Sequence, residues 1–314
     1  MDAFSLSNSG MSHDLVAEIT VYGEDQEELT SVALDWLTRG VAEAISVGGV
    51  GNPPKGLPVS DVGFNSIAKA VNARKGGWWG CFSASPRDTF DVLYNPYVSE
   101  SIHWVDRAIR ARPESMAVKI GEFMEGGEIG NSAIRFSVSF DEDLASYVKL
   151  TYFIDEALLS ASSTTQIEHT RLLASVSWAC RRYNVVFSHF SYAHTGGATE
   201  LERYFRGPSG IPSRNTPQWR DRLRGYSWLM VASREIVHDI GGVGALRESN
   251  AFQAVSPLPN GSVLLQATPS FQEYRGERVG AVHRVLRDAL IQGEFRRPAP
   301  VPGQPPTHMV IFDS

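Results

Sequence analysis

Short stretches in which apolar and polar residues alternate predict β-strands along much of the chain. In the stretch LVAEITVY (15–22), Glu18 and Thr20 fall on the face opposite Ile19, which predicts a half-buried strand. The same pattern predicts the other strands near 78–84, 116–124, 133–140, 148–154, 184–193 and 225–232, and a hairpin around Asn260-Gly261. Turn residues separate the three strands between 116 and 154, which indicates an antiparallel meander.

Apolar residues spaced three and four apart predict amphipathic helices between these strands. The helical patterns span 24–46, 99–111, 164–182 and 277–292. Acidic residues open the first of these helices, and Arg181-Arg182 close the third. Both features suit the helix dipole. Gly40 is expected to bend or weaken the last turns of the first helix.

The stretch 225–272 contains a β-α-β-β unit whose boundaries follow from local chemistry. Ser233 is a capping residue at a helix start, and Gly241 suits the left-handed conformation that ends a helix. Asn260-Gly261 is a strong signal for a two-residue hairpin turn. The hydrophobic pattern on either side of these residues predicts the strands of the unit.

Two aromatic pairs are candidates for either core or binding surface. Tyr226 and Trp228 are two residues apart, so they share one face of an extended strand. Trp78 and Trp79 are adjacent and point to opposite faces. We expect the pair around Trp228 to belong to the core, and the core is also favoured for the tryptophan pair.

The order of these elements predicts the fold class. Strands and helices alternate without a regular βαβ repeat, so we predict an α+β protein with a mostly antiparallel sheet and packed helices. We expect a flexible leader at 1–14, one α+β body at 15–294 and a proline-rich tail at 295–314. A sub-module boundary near residue 115 is allowed, with two strand-plus-helix modules in the same body. The apolar run at 309–312 indicates that the tail returns to the fold.

Composition restricts the class of protein and its partners. The 314 residues are 42% hydrophobic, enough for a large core, and 29 Lys and Arg against 35 Asp and Glu give a net charge of −6. That charge disfavours nucleic acid and anionic lipid as partners. Only Cys81 and Cys180 are present, which fits a reducing compartment. With no signal-peptide pattern and no membrane-spanning run, we predict a cytoplasmic protein.

The histidines provide the best candidate chemistry. His189, His194 and Glu200 lie close together in HFSYAHTGGATE, but their spacing differs from the helical HExxH arrangement that places two imidazoles on one metal ion. His238-Asp239 sits at a predicted helix end, where the dipole already explains a histidine. We therefore predict no metal, no cofactor and no catalytic residue. An enzyme of unknown reaction that uses the His189 region stays an alternative.

The C-terminal third resembles a known bacterial family. Its sequence reads GYSWLMV, REIVHDIGG, ALR and then LLQAT. The matching residues are Arg224, Gly225, Tyr226 and Trp228, then Ile240, Gly241 and Gly242, then Ala245, Leu246 and Arg247, then Leu265, Ala267 and Thr268. In this order they resemble the C-terminal part of type VI or polymorphic-toxin immunity proteins. The resemblance implies a non-catalytic cytoplasmic protein that neutralises a cognate toxin by binding it. The acidic charge of the chain suits a basic toxin.

Two loops are expected to carry the contact surface, because interaction residues are disproportionately found on loops. They span 48–58 and 207–217. The candidate partner-binding residues in and around these loops are Arg206, Arg214, Trp219, Arg220 and Lys55. A structural or assembly protein of a multi-subunit complex is a further alternative, and self-association is also allowed.

Overall fold

One antiparallel sheet of ten strands organises the described part of the molecule. The computed structural model describes residues 13–47, 78–123, 129–160, 165–296 and 309–311. The strands are β1 Asp14–Tyr22, β2 Trp78–Ser85, β3 Leu93–Pro96, β4 Ser115–Phe123, β5 Ile129–Ser139, β6 Tyr147–Asp155, β7 Val185–Tyr192, β8 Leu229–Ala232, β9 Ala254–Pro257 and β10 Val263–Gln266. Their order is β3-β2-β4-β5-β6-β1-β7-β8-β10-β9. Together with the helices, this sheet confirms the predicted α+β class.

Helices lie between most of the strands. Those described are α1 Gln26–Asp35, α2 Val41–Val47, α3 Ile102–Arg110, α4 Glu156–Ser160, α5 Thr165–Arg182, α6 Pro212–Asn215, α7 Arg234–Asp239, α8 Gly242–Glu248 and α9 Glu277–Leu286. A π-helical turn at Trp36–Gly40 joins α1 to α2, so the predicted irregularity at Gly40 lies inside an otherwise continuous helix. Asp25 caps α1 by accepting the Glu28 amide at 2.8 Å. No helix in the described ranges is long and apolar enough to cross a membrane.

The apolar face of the central strands packs against helices. Trp36 is fully buried, and its ring lies 4.6 Å from that of Phe136 on β5. Trp178 on α5 lies 6.4 Å from the same indole. On β1 this face consists of Leu15, Ala17, Ile19 and Val21, all within 2% of complete burial. The burial of this apolar stripe explains why the helices form a layer against this face of the sheet.

The opposite face of β1 is also buried, which corrects the prediction of a half-buried strand. Val16, Glu18 and Thr20 are exposed by only 7%, 3% and 2%. The cause is the segment between β7 and β8, residues 193–228, part of which lies over this face: the Arg224 side chain reaches Glu18 and packs over the ring of Phe187. The alternation of apolar and polar residues in β1 cannot predict this coverage, because the covering segment comes from a distant part of the chain.

The β-α-β-β unit forms as predicted, with two corrections. Ser233 caps α7 through the Ile236 amide, and Gly241 ends that helix with φ +94°. The hairpin is not a two-residue turn: β9 and β10 close at Pro257 and Val263, which leaves a five-residue connection. A type I′ turn needs positive φ at both central positions, and here only Gly261 has it.

The second correction concerns the start of β8. It begins at Leu229 rather than near 225, because the Ser227 side-chain oxygen accepts the Phe190 amide at 3.0 Å. A side-chain oxygen thereby takes the place of a backbone carbonyl in the hydrogen-bond ladder next to β7, so this part of the chain is not a strand. The short elements β3, α4, α6 and α8 were not predicted, and α6 lies within the predicted loop at 207–217. The predicted loop at 48–58 lies outside the described residues.

Candidate functional site

A polar row crosses four adjacent strands on the sheet face that bears Glu18. The strand registers place Ser137 of β5 opposite Thr151 of β6, Thr151 opposite Glu18, and Glu18 opposite His189 of β7. Directly opposed residues in antiparallel strands point to the same face. These four side chains form the floor of a cavity of about 520 Å³. We call the cavity the cleft and the four side chains the floor row.

Two walls enclose the cleft. On the β7 side the wall is formed by Ala193, His194, Gly196, Gly197, Ala198 and Thr216. Gly197 in this wall has φ +67°, and a Cβ there would lie 2.9 Å from the Glu18 carboxylate. Glycine is therefore needed both for the backbone conformation and for the close approach. The other wall is formed by 139–144 and Tyr147, with Arg87 and Glu114 beside them.

Arg224 holds the buried charges beneath the cleft together. Its Nε and Nη2 donate to the two Glu202 oxygens at 3.0 Å each, and its Nη1 donates to Glu18 Oε1 at 3.2 Å. The Lys149 ammonium lies 3.5 Å from the other Glu18 oxygen. We call Glu18, Lys149, Glu202 and Arg224 the Arg224 cluster. Its two carboxylates and two cations balance, as buried charges require.

Glu202 is positioned by a capping box. The Glu202 amide donates to Thr199 Oγ1 at 3.1 Å, while the Thr199 amide donates to Glu202 Oε2 at 2.8 Å. This reciprocal pair satisfies two amides at the start of the turn that begins at Thr199. Asn215 Nδ2 donates to the other Glu202 oxygen at 2.8 Å. Glu202 thus reaches Arg224 in one fixed orientation.

Ionisation in the Arg224 cluster follows from burial and from the neighbouring charges. Burial alone would favour neutral Glu18, but Lys149 and Arg224 outweigh it and lower the pKa of that carboxyl group. Burial favours loss of the Arg224 proton, yet Glu202 and Glu18 raise the pKa of the guanidinium. Glu18 is therefore charged and Arg224 stays protonated at neutral pH.

His189 is the unsatisfied member of the floor row. Its side chain is 3% exposed, and its Nδ1 is buried without a hydrogen-bond partner in the described part of the chain. Burial lowers the pKa of His189 to about 4, against an opposing effect of Glu18. At pH 7 the ring is neutral and one of its nitrogens can accept a hydrogen bond.

The structure separates the three residues that the sequence grouped as a candidate catalytic or metal site. His194 Nε2 and Glu200 Oε1 are 2.7 Å apart, and Arg203 Nη1 lies 3.6 Å from the other Glu200 oxygen. His189 instead stands next to Glu18. Among the residues described, no group of three or more His, Cys, Asp or Glu is arranged to hold a metal ion.

Three acidic side chains at the mouth of the cleft have no cationic partner among the described residues. Glu114, Asp141 and Asp143 are exposed and line the cleft. Glu142 beside them is paired with Arg87 at 3.2 Å. Within the ranges that the structure describes, the other three carboxylates form no ion pair, and Asp141 only accepts the Asp143 amide. We call Glu114, Asp141 and Asp143 the rim acids.

Four of the five predicted partner-binding residues lie in the described segment 206–220. Arg206 is exposed and pairs with Glu294 at 3.2 Å. Arg214 is exposed on α6. The Arg220 guanidinium lies 4.2 Å from the Trp219 ring centroid, and Trp219 is half-buried near Tyr22. Lys55 lies outside the described residues. A binding role for these five residues stays a prediction.

Sequence patterns identified part of the site. The strand pattern placed His189 on the face of Phe187, and the two rings lie 5.5 Å apart. The sequence TELE at 199–202 is a capping-box signal that could have singled out Glu202. The contact between Arg224 and Glu18 joins residues 206 positions apart, and local patterns contain no signal for it.

The neutral state of His189 predicts how stability depends on pH. The pKa of about 4 in the folded protein lies below the ordinary value of about 6.5, so the unfolded chain binds the proton more tightly. Stability is therefore lost as pH falls from 6.5 towards 4. Over that range His189 should account for about 3 kcal/mol of the decrease in the free energy of unfolding.

This expectation is checked by urea unfolding of the wild type and of His189→Gln between pH 7 and pH 4. The variant should show a shallower decrease in the free energy of unfolding. His238→Gln, at a side chain that is 87% exposed, is the control and should follow the wild type. Parallel curves for wild type and His189→Gln would contradict a neutral buried imidazole.

Fold and site together define an α+β protein with a large antiparallel sheet and a charged cleft on the sheet face opposite the main helices. Its structure is similar to that of the Pseudomonas aeruginosa T6SS protein PA0821, with a TM-score of 0.50 and 10% sequence identity. The match covers 88% of this chain and 74% of that chain. No protein-family model matches the sequence, and no curated protein does. At this identity the likeness establishes a shared fold.

Proposed function

We propose that this protein has a role linked to type VI secretion, and that it acts as a cytoplasmic immunity protein that neutralises a cognate toxin by binding it. The observation that carries the proposal is the structural likeness to a T6SS protein over 88% of the chain. The resemblance of the C-terminal third to immunity proteins supports the same role. A fold can host many functions, so the site must be weighed separately.

The chemistry of the cleft favours binding over catalysis. The Glu18 and Glu202 carboxylates are held by Arg224, and Glu200 is held by His194 and Arg203. A general acid or base works with a pKa near the operating pH, whereas the Arg224 cluster lowers the pKa of Glu18. Paired groups of this kind hold a surface in one shape, which is what a binding protein needs.

The thiols support the same view. Burial raises the pKa of both Cys81 and Cys180 to about 12. A cysteine nucleophile acts as the thiolate, and these two thiols stay protonated at neutral pH. Their burial fits a role as small apolar residues of the core.

The proposal predicts that this chain protects cells from the product of a neighbouring gene. We expect that product to be toxic when expressed alone in bacteria, and harmless when this chain is co-expressed. The two proteins should elute together on gel filtration. A harmless neighbour, or toxicity that co-expression leaves unchanged with no complex on the column, would refute the proposal.

The same assay locates the contact surface. Charge reversal of Arg206, Arg214 and Arg220 together should weaken the complex if the 207–217 loop carries the contact. The matched control reverses three exposed arginines elsewhere, Arg181, Arg284 and Arg287, and should leave the complex intact. If both triple variants bind like the wild type, that loop is removed from the contact surface while the neutralising role stands.

A further inference from the structure

We infer that the cleft is a receptor for one arginine side chain of the protein partner. The inference rests on the proposed function for the source of that side chain, and on the cleft itself for its chemistry. Three features point to a guanidinium ligand: the rim acids, which no described cation pairs, the aromatic side chains that line the cleft, and the floor acceptor that no described residue uses.

The charge of the cleft is acidic where it is not already paired. On the floor, Glu18 is neutralised by Arg224 and Lys149, and on the wall Glu142 is neutralised by Arg87. No cation in the described ranges pairs with the rim acids, Glu114, Asp141 and Asp143. Carboxylates with no cation of their own attract a cationic ligand and repel an anionic one.

The aromatic side chains that line the cleft suit the flat, weakly hydrated guanidinium group better than an ammonium group. Tyr147 and Phe153 are half-buried and line the cleft. Phe153 already packs against one guanidinium, that of Arg135, with 5.5 Å between the Arg135 carbon and the ring centroid. Arginine stacks on aromatic rings and binds carboxylates through two parallel hydrogen bonds, whereas lysine acts as a point charge.

The floor offers an acceptor that the described chain does not use. His189 Nδ1 and Thr20 Oγ1 are both buried without a hydrogen-bond partner among the described residues, and both residues line the cleft. A buried polar atom left unpaired is costly. A guanidinium presents five N–H donors, so it can meet the rim acids and supply a donor to the floor in one ligand.

The size of the cleft agrees with one inserted side chain. Its volume of about 520 Å³ lies in the range of about 300–1,000 Å³ that is usual for small-ligand sites. Anchor residues of protein interfaces, among them arginine, fill pockets of this kind near the centre of the contact. The cleft is therefore expected to hold an anchor of the interface.

The test uses N-acetyl-arginine amide as the probe, so it needs no toxin. We expect the probe to shift the NMR signals of the His189 ring and of the Thr151 amide, with a Kd on the order of 1–10 mM. N-acetyl-citrulline amide has nearly the same shape without the charge and should bind at least about tenfold more weakly. N-acetyl-glutamate amide, an anion, should leave these signals in place.

Variants assign the effect to the rim acids. The triple variant Glu114→Gln, Asp141→Asn and Asp143→Asn keeps the shape of the cleft, and Asn preserves the cap at position 141. This variant should bind the arginine probe about tenfold more weakly than the wild type. The control neutralises three exposed acids elsewhere, Asp239→Asn, Glu248→Gln and Glu277→Gln, with the same change in net charge and no expected loss of binding.

The outcomes separate this inference from the proposed function. Three results of the probe experiment would overturn the inference of an arginine receptor. They are equal shifts with the arginine and citrulline probes, binding of the glutamate probe, and no shift at about 50 mM arginine probe. A toxin that is bound equally well by the wild type and by the rim-acid variant would also overturn it, although the neutralising role would stand. If the product of the neighbouring gene is harmless, the proposed function is refuted and the toxin cannot be the source of the arginine side chain. The probe experiment still decides whether the cleft binds arginine.

Discussion

Replacing Arg224 with methionine will lower the free energy of unfolding by about 3–5 kcal/mol. Methionine keeps most of the volume but leaves Glu18 and Glu202 as buried carboxylates without their shared cation. Arg224 itself is 1% exposed, so water does not replace the lost guanidinium. The measurement is urea unfolding at pH 7, in which the midpoint should fall with little change in slope.

Two further variants isolate the cause. Arg110→Met removes an arginine that pairs with Glu27 at 2.7 Å but is 49% exposed, and it should cost far less than Arg224→Met because surface ion pairs contribute little. Adding Glu18→Gln and Glu202→Gln to Arg224→Met should recover part of the loss, because the uncompensated charges are then gone. A cost at Arg224 equal to that at Arg110 would show that the Arg224 cluster is solvated.

Trp228→Ala is expected to cost about 3–5 kcal/mol, the usual effect of emptying a large aromatic site. The side chain is completely buried, with ring centroids of Phe190 at 5.3 Å and Phe271 at 6.1 Å. Its Nε1 donates to the Thr268 carbonyl at 2.8 Å. Truncation therefore leaves a cavity and removes one of the two side-chain hydrogen bonds to the Thr268 carbonyl, which still accepts Gln266 Nε2 at 2.9 Å. The readout is the midpoint of urea unfolding, with the melting temperature as a second measurement.

The controls for Trp228 separate size from hydrogen bonding. Trp228→Phe keeps most of the apolar contact but removes the indole hydrogen bond to the Thr268 carbonyl, so its cost should fall to about 1–3 kcal/mol. Phe90→Ala removes an aromatic ring that is fully exposed and should change stability by less than about 0.5 kcal/mol. An unchanged melting temperature for Trp228→Ala would mean that the ring is solvent-exposed and available for binding.

Local pattern was sufficient for the elements with strong periodicity. The predicted strand at 148–154 became Tyr147–Asp155, and the predicted helix at 164–182 became Thr165–Arg182. Both elements bury a regular stripe, and such stripes can be read from sequence alone. The short strand Leu93–Pro96 was missed because its residues are exposed or half-buried, so it has no apolar stripe to recognise.

The candidate site depended on information that is not local. Glu18 was predicted to face solvent because it alternates with apolar neighbours, yet it is buried under the segment that carries Arg224. Alternation reports which residues share a face, but not what covers that face. His189 and His194 are close in sequence and were grouped for that reason, whereas the structure gives each a different partner from another part of the fold.

The central place of β1 in the sheet determines when it can acquire its partners during synthesis. The strand at 14–22 leaves the ribosome before either of its partners, because it pairs with 147–155 on one side and 185–192 on the other. At about 5–20 residues per second, its first partner follows roughly 6–25 s later. Until then an apolar strand has both edges open, the state in which chains aggregate or recruit chaperones. Folding of the sheet centre is thus completed by late-made strands, and truncated products that end before residue 147 contain β1 without either partner strand.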